Sequence, residues 1–600
     1  MTLRSCSIHQ SEYCLNRLTY RGSMVLNISP QLKSPNFCTN NMAEITYAVL
    51  ALVPVLIFYL YHQLQQYRFK MFAHIPSSLQ PNIFFGHVGH MAAGFKKLGN
   101  SKAHPDYVLE DLWINNGRPE FMFLDFRPIQ YPILLLTTHD LAEQVVRATR
   151  SRPYSVTKSP TVQGEFGALV GKRSMLTQHD GESWKALRKQ FNPGFAPQHL
   201  VTLLPVIINK TSLFIEKLDA AATSGAVTEM ERLCVNCTFD IIGEVITNVD
   251  SHAQEEELAD GNNFLRNFRL LSETYVSGSG LGLAAINPLT QFKRYFYSRR
   301  MDAALHEIIQ DKFNTIQQSR GSETKQTTDR SVLALALQDV KSLTPDISQT
   351  VADQCKTFLF AGHDTTSILL QRLLYALSIH PSCLSKIRAE HNSIFGSQDP
   401  QTVLLSRPDE TLKSLVYTSA CIKEALRLWP PAATARMSHD GFKLRTKEGE
   451  QVMVDECVIY PIQHIIHRDP SVYGPTADDF VPERWTGDTD TSTATNVDAN
   501  GTTTPTGTIP AGAWRPFERG PRNCIGQELA NLEARVILAC VIRRYDFVKV
   551  GVGEIEKNEK GLPLIDAKGR YRTKSELIST MSVTSKPIDK TRMIVKHRQP

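Results

Sequence analysis

The sequence predicts a large, mainly α-helical domain with small β-sheets, preceded by one helix that is apolar enough to cross a membrane. Hydrophobic residues recur at helical spacing in long segments, for example residues 201–218, 299–317 and 345–380, whereas strand-like runs are short. The longest uncharged run lies near the N-terminus. The 600 residues, 42% of them hydrophobic, can fill one large core, and the composition excludes collagen-like, coiled-coil and wholly disordered chains.

The charge and the cysteine count argue against a nucleic-acid-binding protein and against a disulfide-rich protein. A net charge of +6 over the whole chain is weak, so we expect no nucleic-acid partner, although an acidic protein surface or a membrane surface stays compatible with it. The 11 cysteines are odd in number and irregularly spaced, which argues against a disulfide framework. We therefore expect most of them to be reduced thiols in the core.

The N-terminal apolar run predicts a transmembrane anchor over residues 43–62. Residues 45–61 carry no charge, and the whole span would form a helix of about 30 Å, the thickness of a bilayer core. Pro54 is compatible with this prediction, because membrane helices tolerate proline. The alternative is a buried core helix, which the polar segment that follows at once disfavours.

Residues 1–41 form a polar extension without the apolar segment of an ordinary signal peptide. Met42 directly precedes the apolar run, and we hypothesise that translation starts there, so that the extension is not made. Glu44 would then lie on the outer side of the membrane, and Arg68 and Lys70 would lie on the cytosolic side. The positive-inside rule predicts from this a single-pass protein whose bulk is cytosolic.

Residues 69–600 read as one long globular region. Strand-like pieces are predicted at residues 133–137 and 451–460. Residues 318–330 are rich in Ser, Thr and Lys, and residues 486–512 form a low-complexity tract with almost no large apolar side chain. We expect both of these segments to be surface loops.

Cys524 stands out among the cysteines. It lies in a loop punctuated by Gly and Pro, shortly before an apolar, helix-compatible stretch at residues 527–541. A thiol at that place meets unpaired N–H groups and the positive end of the helix dipole, and both favour the thiolate. The alternative, which applies to most of the other cysteines, is a packed core thiol beside a turn.

The neighbours of Cys524 suit a flat, anionic ligand. Gly520 and Gly526 permit tight turns and the close approach of a flat group. Arg522 offers a guanidinium group to a carboxylate, and Phe517 supplies an apolar wall. A thiolate, a flat ligand and a carboxylate together describe a heme with its propionates.

Residues 517–526 match every fixed position of the pattern F-x-x-G-x-R-x-C-x-G, and this segment resembles the signature of the cytochrome P450 family. The resemblance implies the cytochrome P450 fold, heme b as the cofactor and Cys524 as the ligand of its iron. It extends from about residue 75 to residue 598, and the further motifs follow in the order in which the family has them.

A second motif begins at Ala361, midway along the helix predicted for residues 345–380, and reads Ala-Gly-His-Asp-Thr-Thr. Glycine weakens a helix locally, and a threonine hydroxyl can bond back to the i−4 carbonyl and bend it. The segment resembles the family's distal-helix motif. This implies that Gly362 leaves space for dioxygen, that Thr365 holds the oxygen species by a hydrogen bond and that Asp364 helps to relay protons. Alone, such a segment would also be compatible with a kink that has no chemistry.

Glu424 and Arg427 lie three residues apart on one predicted helix face, an arrangement that usually means only a solvated ion pair. Together with Arg484 they resemble the family's E-x-x-R plus P-E-R-F triad. That resemblance implies a structural role, which is to fix the segment that leads to the thiolate loop. Trp485 stands where phenylalanine is commonest in the family.

Trp184 and Arg188, one helical turn apart, resemble the family's W-x-x-x-R helix. The resemblance implies that the indole N–H and the guanidinium meet the same propionate, and Arg436 occupies the place where the family supplies another propionate ligand. Without the other motifs, residues 182–188 would also fit an amphipathic surface helix. The separation of 40 residues between Arg484 and Cys524 is longer than usual for the family, and we assign the excess to the surface tract already noted.

By resemblance, the chain is a heme-thiolate monooxygenase anchored in the endoplasmic reticulum membrane, with its catalytic domain in the cytosol. It would use O2, and electrons from NADPH through a separate reductase, to hydroxylate or otherwise oxidise an apolar small molecule. Residues 191–205 look like fungal members of the family from secondary-metabolite biosynthesis. Two alternatives stay open: a heme-thiolate isomerase or dehydratase, whose members often lack the acid–threonine pair, and a non-enzymatic heme-binding sensor.

Overall fold

The computed structural model describes residues 36–150, 152–179, 181–255, 263–276, 287–320, 329–487, 495–497, 503–505 and 509–599. The chain divides into two units, residues 1–67 and 68–600, which are described separately. Residues 1–35 of the predicted extension 1–41 lie outside the described residues, and so does most of the low-complexity tract 486–512. The boundaries of these two segments therefore stay predictions.

The first unit contains helix α1 (Asn36–Gln65). Within the described part of the chain, one span, Tyr47–Lys70, is long and apolar enough to cross a membrane, with a mean hydropathy of 1.7. None of its most apolar window is buried, which disfavours the core-helix alternative, because other elements would cover a core helix. The prediction of one apolar N-terminal helix is confirmed.

The second unit is mainly helical with small sheets, as predicted. Its helices are α2 (Val88–Leu98), α3 (Pro105–Asn115), α4 (His139–Val146), α5 (Pro160–Val170), α6 (Glu182–Phe191), α7 (Pro197–Thr202), α8 (Leu204–Ser224), α9 (Met230–Thr247), α10 (Asn263–Val276), α11 (Pro288–Arg320), α12 (Val332–Leu337), α13 (Pro345–Ile379), α14 (Pro381–Phe395), α15 (Pro400–Ser406), α16 (Pro408–Ser414), α17 (Val416–Leu428), α18 (Gln463–Ile466), α19 (Pro470–Tyr473) and α20 (Gln527–Val541). Its strands are β1 (Phe121–Leu124), β2 (Ile133–Leu136), β3 (Val227–Glu229), β4 (Lys443–Arg445), β5 (Gln451–Met453), β6 (Val458–Pro461), β7 (Thr495–Val497), β8 (Thr503–Pro505), β9 (Tyr545–Lys549), β10 (Ser579–Ser582), β11 (Thr584–Pro587) and β12 (Arg592–His597).

Helix α13 is the centre of the core and matches the helix predicted for residues 345–380. Thr344 caps it by accepting a hydrogen bond from the N–H of Ile347 at 3.3 Å, and Pro345 occupies the first helical position. Helices α5, α9, α11, α17 and α20 pack against it, so most of its side chains are buried. A residue of α13 that is accessible midway along this helix therefore faces the interior of the domain.

Strand β2 lies in a three-stranded sheet, antiparallel to β1 and parallel to β6, and it confirms the strand predicted at residues 133–137. The single strand predicted over residues 451–460 is wrong. Strand β5 pairs with β4 in a hairpin, whereas β6 belongs to the sheet of β2. Glu456 lies between them with φ at +60°, a left-handed conformation that ends an extended run.

Two small sheets contain the C-terminal strands. Strand β12 pairs with β3 and with β9. Strands β10 and β11 form a tight hairpin in which Ser582 pairs with Thr584, so that Val583 alone forms the tip.

A buried ion pair joins helix α17 to the turn Pro482–Trp485. The Oε1 atom of Glu424 lies 2.7 Å from Nη2 of Arg427, and neither side chain is exposed. Glu424 also accepts hydrogen bonds from Nε of Arg484 at 3.0 Å and from Nε1 of Trp485 at 2.9 Å. Although burial opposes ionisation, the two guanidinium groups hold the pKa of Glu424 below its ordinary value. The tryptophan that replaces the usual phenylalanine thus adds a hydrogen bond that phenylalanine cannot make.

We expect Glu424→Gln to lower the free energy of unfolding by roughly 3–5 kcal/mol, because it leaves buried guanidinium charge without its carboxylate. Chemical denaturation measures this change. Glu410→Gln is the control, because Glu410 forms an i,i+3 pair with Arg407 at 3.4 Å on an exposed surface and should change stability little. Equal losses in the two variants would contradict the importance of the buried pair.

Candidate active site

The loop before helix α20 is closed by backbone hydrogen bonds. The N–H of Cys524 donates to the carbonyl of Phe517 at 2.8 Å, and that of Asn523 donates to the carbonyl of Gly520 at 3.1 Å. Gly520 has φ at +73°, and a Cβ atom there would lie 2.2 Å from the carbonyl oxygen of Val146. Glycine is therefore required at this position for both conformation and space, and the loop presents Cys524 in one orientation.

Cys524 is exposed, whereas the other seven described cysteines are buried. Protein nevertheless surrounds its sulfur closely, and this burial raises the pKa of the Cys524 thiol. The N–H groups of Gly526 and Gln527 and the charges of Arg188 and Lys158 oppose that rise without reversing it. The expectation that the N–H groups at the helix start favour the thiolate is confirmed for their own contribution, but burial outweighs them in the free thiol. A bound metal ion deprotonates a coordinating thiol outright.

Helix α6 contacts the Cys524 loop through Trp184 and Arg188, which lie one helical turn apart on the same face. Arg188 donates from Nη1 to the carbonyl of Asn523 at 2.8 Å and from Nη2 to its side-chain Oδ1 at 3.1 Å. The guanidinium carbon of Arg522 lies 4.6 Å from the ring centroid of Trp184. Both side chains therefore support the segment next to Cys524 directly, a role that sequence reasoning missed. Their contact with a propionate stays a prediction.

Arg436 lies fully buried beside a lysine that sequence reasoning also missed. The backbones of Arg436 and Lys158 form an antiparallel bridge, and Nη1 of Arg436 donates to Oγ of Ser155 at 3.1 Å. The Nζ atom of Lys158 donates to Oγ1 of Thr434 at 2.5 Å. Its charge lowers the pKa of Cys524, which places it near the sulfur. No motif contains Lys158, so no sequence signal pointed to it.

These residues fit a heme by the chemistry of their groups. The sulfur of Cys524 is an accessible ligand for iron. Four cationic side chains of this region donate hydrogen bonds to neutral oxygen atoms: Arg188, Arg436, Arg522 and Lys158. A flat ligand with two carboxylates matches such a set. A Cβ atom on Gly526 would lie 3.9 Å from the sulfur, which is ordinary contact, so the sulfur itself does not require glycine there.

The segment of α13 around Gly362, where the sequence predicts a locally weakened helix, presents an accessible face. Ala361 is exposed and Thr365 is half-buried one turn later, although both lie in the middle of the core helix. The hydroxyl of Thr365 donates to the carbonyl of Ala361 at 2.7 Å, which is the i−4 bond that the sequence predicts. Thr238 of α9 donates to the carbonyl of His363 at 2.7 Å. The hydroxyl of Ser367 also donates to the carbonyl of Asp364 at 2.7 Å. Three helix carbonyls of this turn thus accept hydroxyl groups, and Thr365 lies on the accessible face.

Gly362 faces the neighbouring helix α9. A Cβ atom on it would lie 2.6 Å from Cγ1 and 2.7 Å from Cδ1 of Ile242, closer than atoms can pack. The absence of a side chain at Gly362 is therefore a condition for the crossing of α13 with α9. Sequence reasoning missed this packing role, and the role in leaving space for dioxygen stays a prediction.

Asp364 is buried and engaged at both carboxylate oxygens. Its Oδ1 atom lies 2.7 Å from Nζ of Lys586, and its Oδ2 atom accepts a hydrogen bond from the hydroxyl of Thr584. Both partners belong to strand β11. The assigned role in proton relay stays a prediction, and no motif pointed to these two partners.

His467 connects the buried ion pair of α17 to the Cys524 loop. Its Nδ1 atom donates to the carbonyl of Arg427 at 2.9 Å, and its Nε2 atom accepts from the backbone N–H of Arg515 at 3.0 Å. These two contacts fix the neutral tautomer, and burial holds the pKa of His467 well below its ordinary value. Arg515 lies two residues before Phe517, so the loop is fixed to the ion pair through one imidazole ring.

Glu533 is a buried acid on α20 that no motif singled out. Its side chain forms a hydrogen bond with Thr366 of α13, and the residue is 1% exposed. Burial raises the pKa of Glu533 well above its ordinary value, which favours the neutral carboxyl in the folded protein. It links the helix that follows Cys524 to the helix that carries Thr365.

Comparison with known proteins gives consistent matches. The family model described as Cytochrome P450 matches residues 120–572, a range that includes all of the residues above except those of the C-terminal hairpin. Cytochrome P450 monooxygenase acrF of Aspergillus aculeatus is 32% identical over 439 residues, which cover 71% of this chain and 83% of that protein. Cytochrome P450 monooxygenase polC of Polytolypa hystricis is 28% identical over 478 residues, which cover 77% of this chain and 80% of that protein.

We expect Gly362→Ala to lower the free energy of unfolding by about 1–3 kcal/mol, because the added methyl group meets Ile242. The double variant Gly362→Ala with Ile242→Ala should recover part of that loss, since it removes the colliding atoms. Denaturant titration of the purified proteins measures both. Gly164→Ala is the control, because nothing lies within 4 Å of a Cβ atom there. A loss that Ile242→Ala leaves unchanged would refute the packing role.

We expect Glu533→Gln to remove part of the fall in stability at rising pH. A carboxyl that is neutral when folded and ionised when unfolded lowers the free energy of unfolding above its ordinary pKa, by up to about 1.4 kcal/mol per pH unit. Melting temperatures at pH 5.5 and 8 should therefore differ less in Glu533→Gln than in the wild type. Glu528→Gln, on an exposed position of the same helix, should keep the wild-type difference. Identical pH dependence in all three proteins would contradict a neutral Glu533.

Proposed function

Since this chain belongs to the cytochrome P450 family, we propose that it is a membrane-anchored heme-thiolate monooxygenase that oxidises an apolar small molecule. The observation that carries this proposal is the exposed Cys524, held in a rigid loop among four basic side chains. A merely structural cysteine in this core would be buried, as the other seven described cysteines are.

The proposal assigns the binding of heme b to residues on both sides of the Cys524 loop. Cys524 supplies the iron ligand, and Phe517 and Gly526 flank it. Trp184, Arg188, Arg436 and Arg522 hold the propionates, to which we add Lys158. When bound, heme supplies the activation of dioxygen that inserts one oxygen atom into a C–H bond.

Residues of α13 handle oxygen and protons in this proposal. Thr365 holds a proton at Oγ1 on the accessible face of the helix and can turn it from the carbonyl of Ala361 toward that face. Asp364, one residue earlier, helps to relay the proton that replaces it. Gly362 leaves the space beside them free of a side chain.

The partner that supplies electrons would be an NADPH-dependent reductase. A cavity of about 600 Å³ lies along helix α6, and Lys185 and Lys189 on this helix are exposed. The same helix contacts the Cys524 loop through Arg188. A basic surface close to that loop suits an acidic protein partner, because opposite charges steer and align the encounter.

We assign residues 43–62 to the anchor, residues 69–600 to the catalytic domain and residues 1–41 to an extension that a start at Met42 would omit. The anchor would place the protein in the endoplasmic reticulum membrane with the catalytic domain in the cytosol. An apolar substrate would partition into the same membrane. We further propose a substrate from fungal secondary-metabolite biosynthesis, in keeping with relatives that are fungal cytochrome P450 monooxygenases.

We expect Cys524→Ala to abolish the red-shifted Soret band of the reduced carbon monoxide complex, because that band requires a thiolate ligand to iron. Cys540→Ala, which removes a buried thiol from helix α20 after the Cys524 loop, should retain the band. Absorption spectra of membranes that contain each variant provide the measurement. A red-shifted band in Cys524→Ala, or none in the wild type, would refute the ligand assignment.

The same membranes, supplied with a reductase, NADPH and 18O2, test the reaction class on apolar fungal extracts. A monooxygenase incorporates one labelled oxygen atom into product and depends on NADPH. Product formed without label or NADPH would indicate an isomerase or dehydratase instead. A thiolate band without any turnover would indicate a heme-binding sensor.

A further inference from the structure

Two tryptophans and a phenylalanine form a chain of aromatic rings that ends at the Cys524 loop. The ring centroids of Trp485 and Trp514 lie 6.1 Å apart, and those of Trp514 and Phe517 also lie 6.1 Å apart. Both pairs meet edge to face, which is a favoured arrangement of aromatic rings. The carbonyl of Phe517 accepts the N–H of Cys524 at 2.8 Å. The chain therefore reaches the proposed iron ligand through ring contacts and one hydrogen bond.

One helix fixes both indole groups of this chain. Nε1 of Trp514 donates to the carbonyl of Lys423 at 3.1 Å, and Nε1 of Trp485 donates to Oε2 of Glu424 at 2.9 Å. Lys423 and Glu424 are neighbours on helix α17. The separation of the two indole rings is therefore determined by the fold.

The outer end of the chain lies close to solvent. Trp485 and Trp514 are half-buried, whereas Lys423 is exposed and places its Nζ atom 5.7 Å from the ring centroid of Trp485. A small molecule in solvent can thus approach the indole of Trp485. The three rings connect the protein surface with the Cys524 loop.

The two indoles differ from the phenyl ring in their chemistry. An indole ring can lose one electron to a strong oxidant and form a radical cation, whereas a phenyl ring resists this loss. The same packing with phenylalanine at positions 485 and 514 would fill the space but would supply no electron. The presence of tryptophan at both positions therefore gives the chain a capacity for electron transfer that its shape alone does not require.

We propose that Trp514 and Trp485 form a second route for electrons, through which a thiol in solvent reduces the heme when it has been oxidised without a substrate to attack. This inference rests on the proposed function, which supplies the heme and its oxidation by a peroxide. The route would protect the heme and the sulfur of Cys524 from oxidative damage.

The electrons of this route balance in single steps. Trp514 gives one electron toward the heme through Phe517 and Cys524, Trp485 gives one electron to Trp514, and the thiol gives one electron to Trp485. The indoles keep their N–H protons, and no bond of the protein forms or breaks. Two passages oxidise two thiols to one disulfide, and the two protons that the thiols release go to oxygen. Overall, one hydrogen peroxide and two thiols give one disulfide and two molecules of water.

The rate at which hydrogen peroxide bleaches the Soret band measures the protection. With glutathione present and no substrate, we expect Trp485→Phe and Trp514→Phe to bleach at least threefold faster than the wild type. Phenylalanine is the commonest residue of the family at position 485, so the fold should accept it there. Trp113→Phe is the matched control, because that indole also donates to a backbone carbonyl, that of Pro119 at 2.8 Å, but belongs to helix α3 and a different apolar cluster. It should bleach like the wild type.

Electron paramagnetic resonance identifies the residues that lose an electron. Samples are mixed with a peracid and frozen within milliseconds, and ring-deuterated tryptophan should narrow the radical signal of the wild type. Trp514→Phe should lose this signal. Trp485→Phe should retain it on Trp514, but glutathione should no longer accelerate its decay. A purely structural role of the two rings predicts no tryptophan radical.

Equal bleaching in the wild type and in both chain variants would overturn the inference, and so would equally fast bleaching in Trp113→Phe. A radical signal that Trp514→Phe leaves unchanged would also overturn it, because the electron would then come from another residue, such as Trp184. If Trp514→Phe loses the carbon monoxide band, Trp485→Phe decides the outcome. A wild type without that band would instead refute the proposed function.

Discussion

A buried carboxylate must be paired, and in this protein the pairing of Glu424 positions the loop that carries Cys524. Removing a carboxylate from water costs several kcal/mol unless cations and N–H donors replace the water, so Glu424 fixes Arg427 and Arg484 around itself. Arg427 in turn fixes His467 through its carbonyl, and His467 fixes the backbone of Arg515. The loop that carries Cys524 begins there, so its position follows from an ion pair on a different helix.

One turn of helix α13 divides three tasks among neighbouring residues because successive side chains point in different directions. Ala361 and Thr365 lie on the accessible face. Gly362 meets α9 with no room for a side chain, and Asp364 reaches the C-terminal hairpin. Residues 361–366 therefore combine a packing contact at Gly362, a polar link at Asp364 and an accessible hydroxyl at Thr365. A change at one of these residues is expected to disturb its neighbours as well.

The sequence was sufficient to predict an element or a candidate site wherever a local pattern carries the information. The apolar periodicity of α13 and its Thr-Pro start, the uncharged run of α1 and the spacing around Cys524 all predict what the structure contains. Lys158, His467 and Lys586 were not predictable, because each acts through contacts with residues far away in the chain. The strand predicted over residues 451–460 failed because alternation does not reveal a left-handed residue such as Glu456. The helix start lowers the pKa of Cys524 as expected, but the opposing effect of burial was not predictable, because it depends on residues far away in the chain.

The indole of Trp485 is an uncharged donor to a carboxylate that two cations neutralise. Five N–H groups donate to the two oxygens of Glu424, two of them from Arg427 and one each from Val481, Arg484 and Trp485. Three of these donors meet Oε1, and Arg427 and Trp485 share Oε2. Loss of the indole would therefore cost Oε2 a hydrogen bond but would leave the buried charge compensated. Loss of either arginine would instead remove a cation that the carboxylate requires.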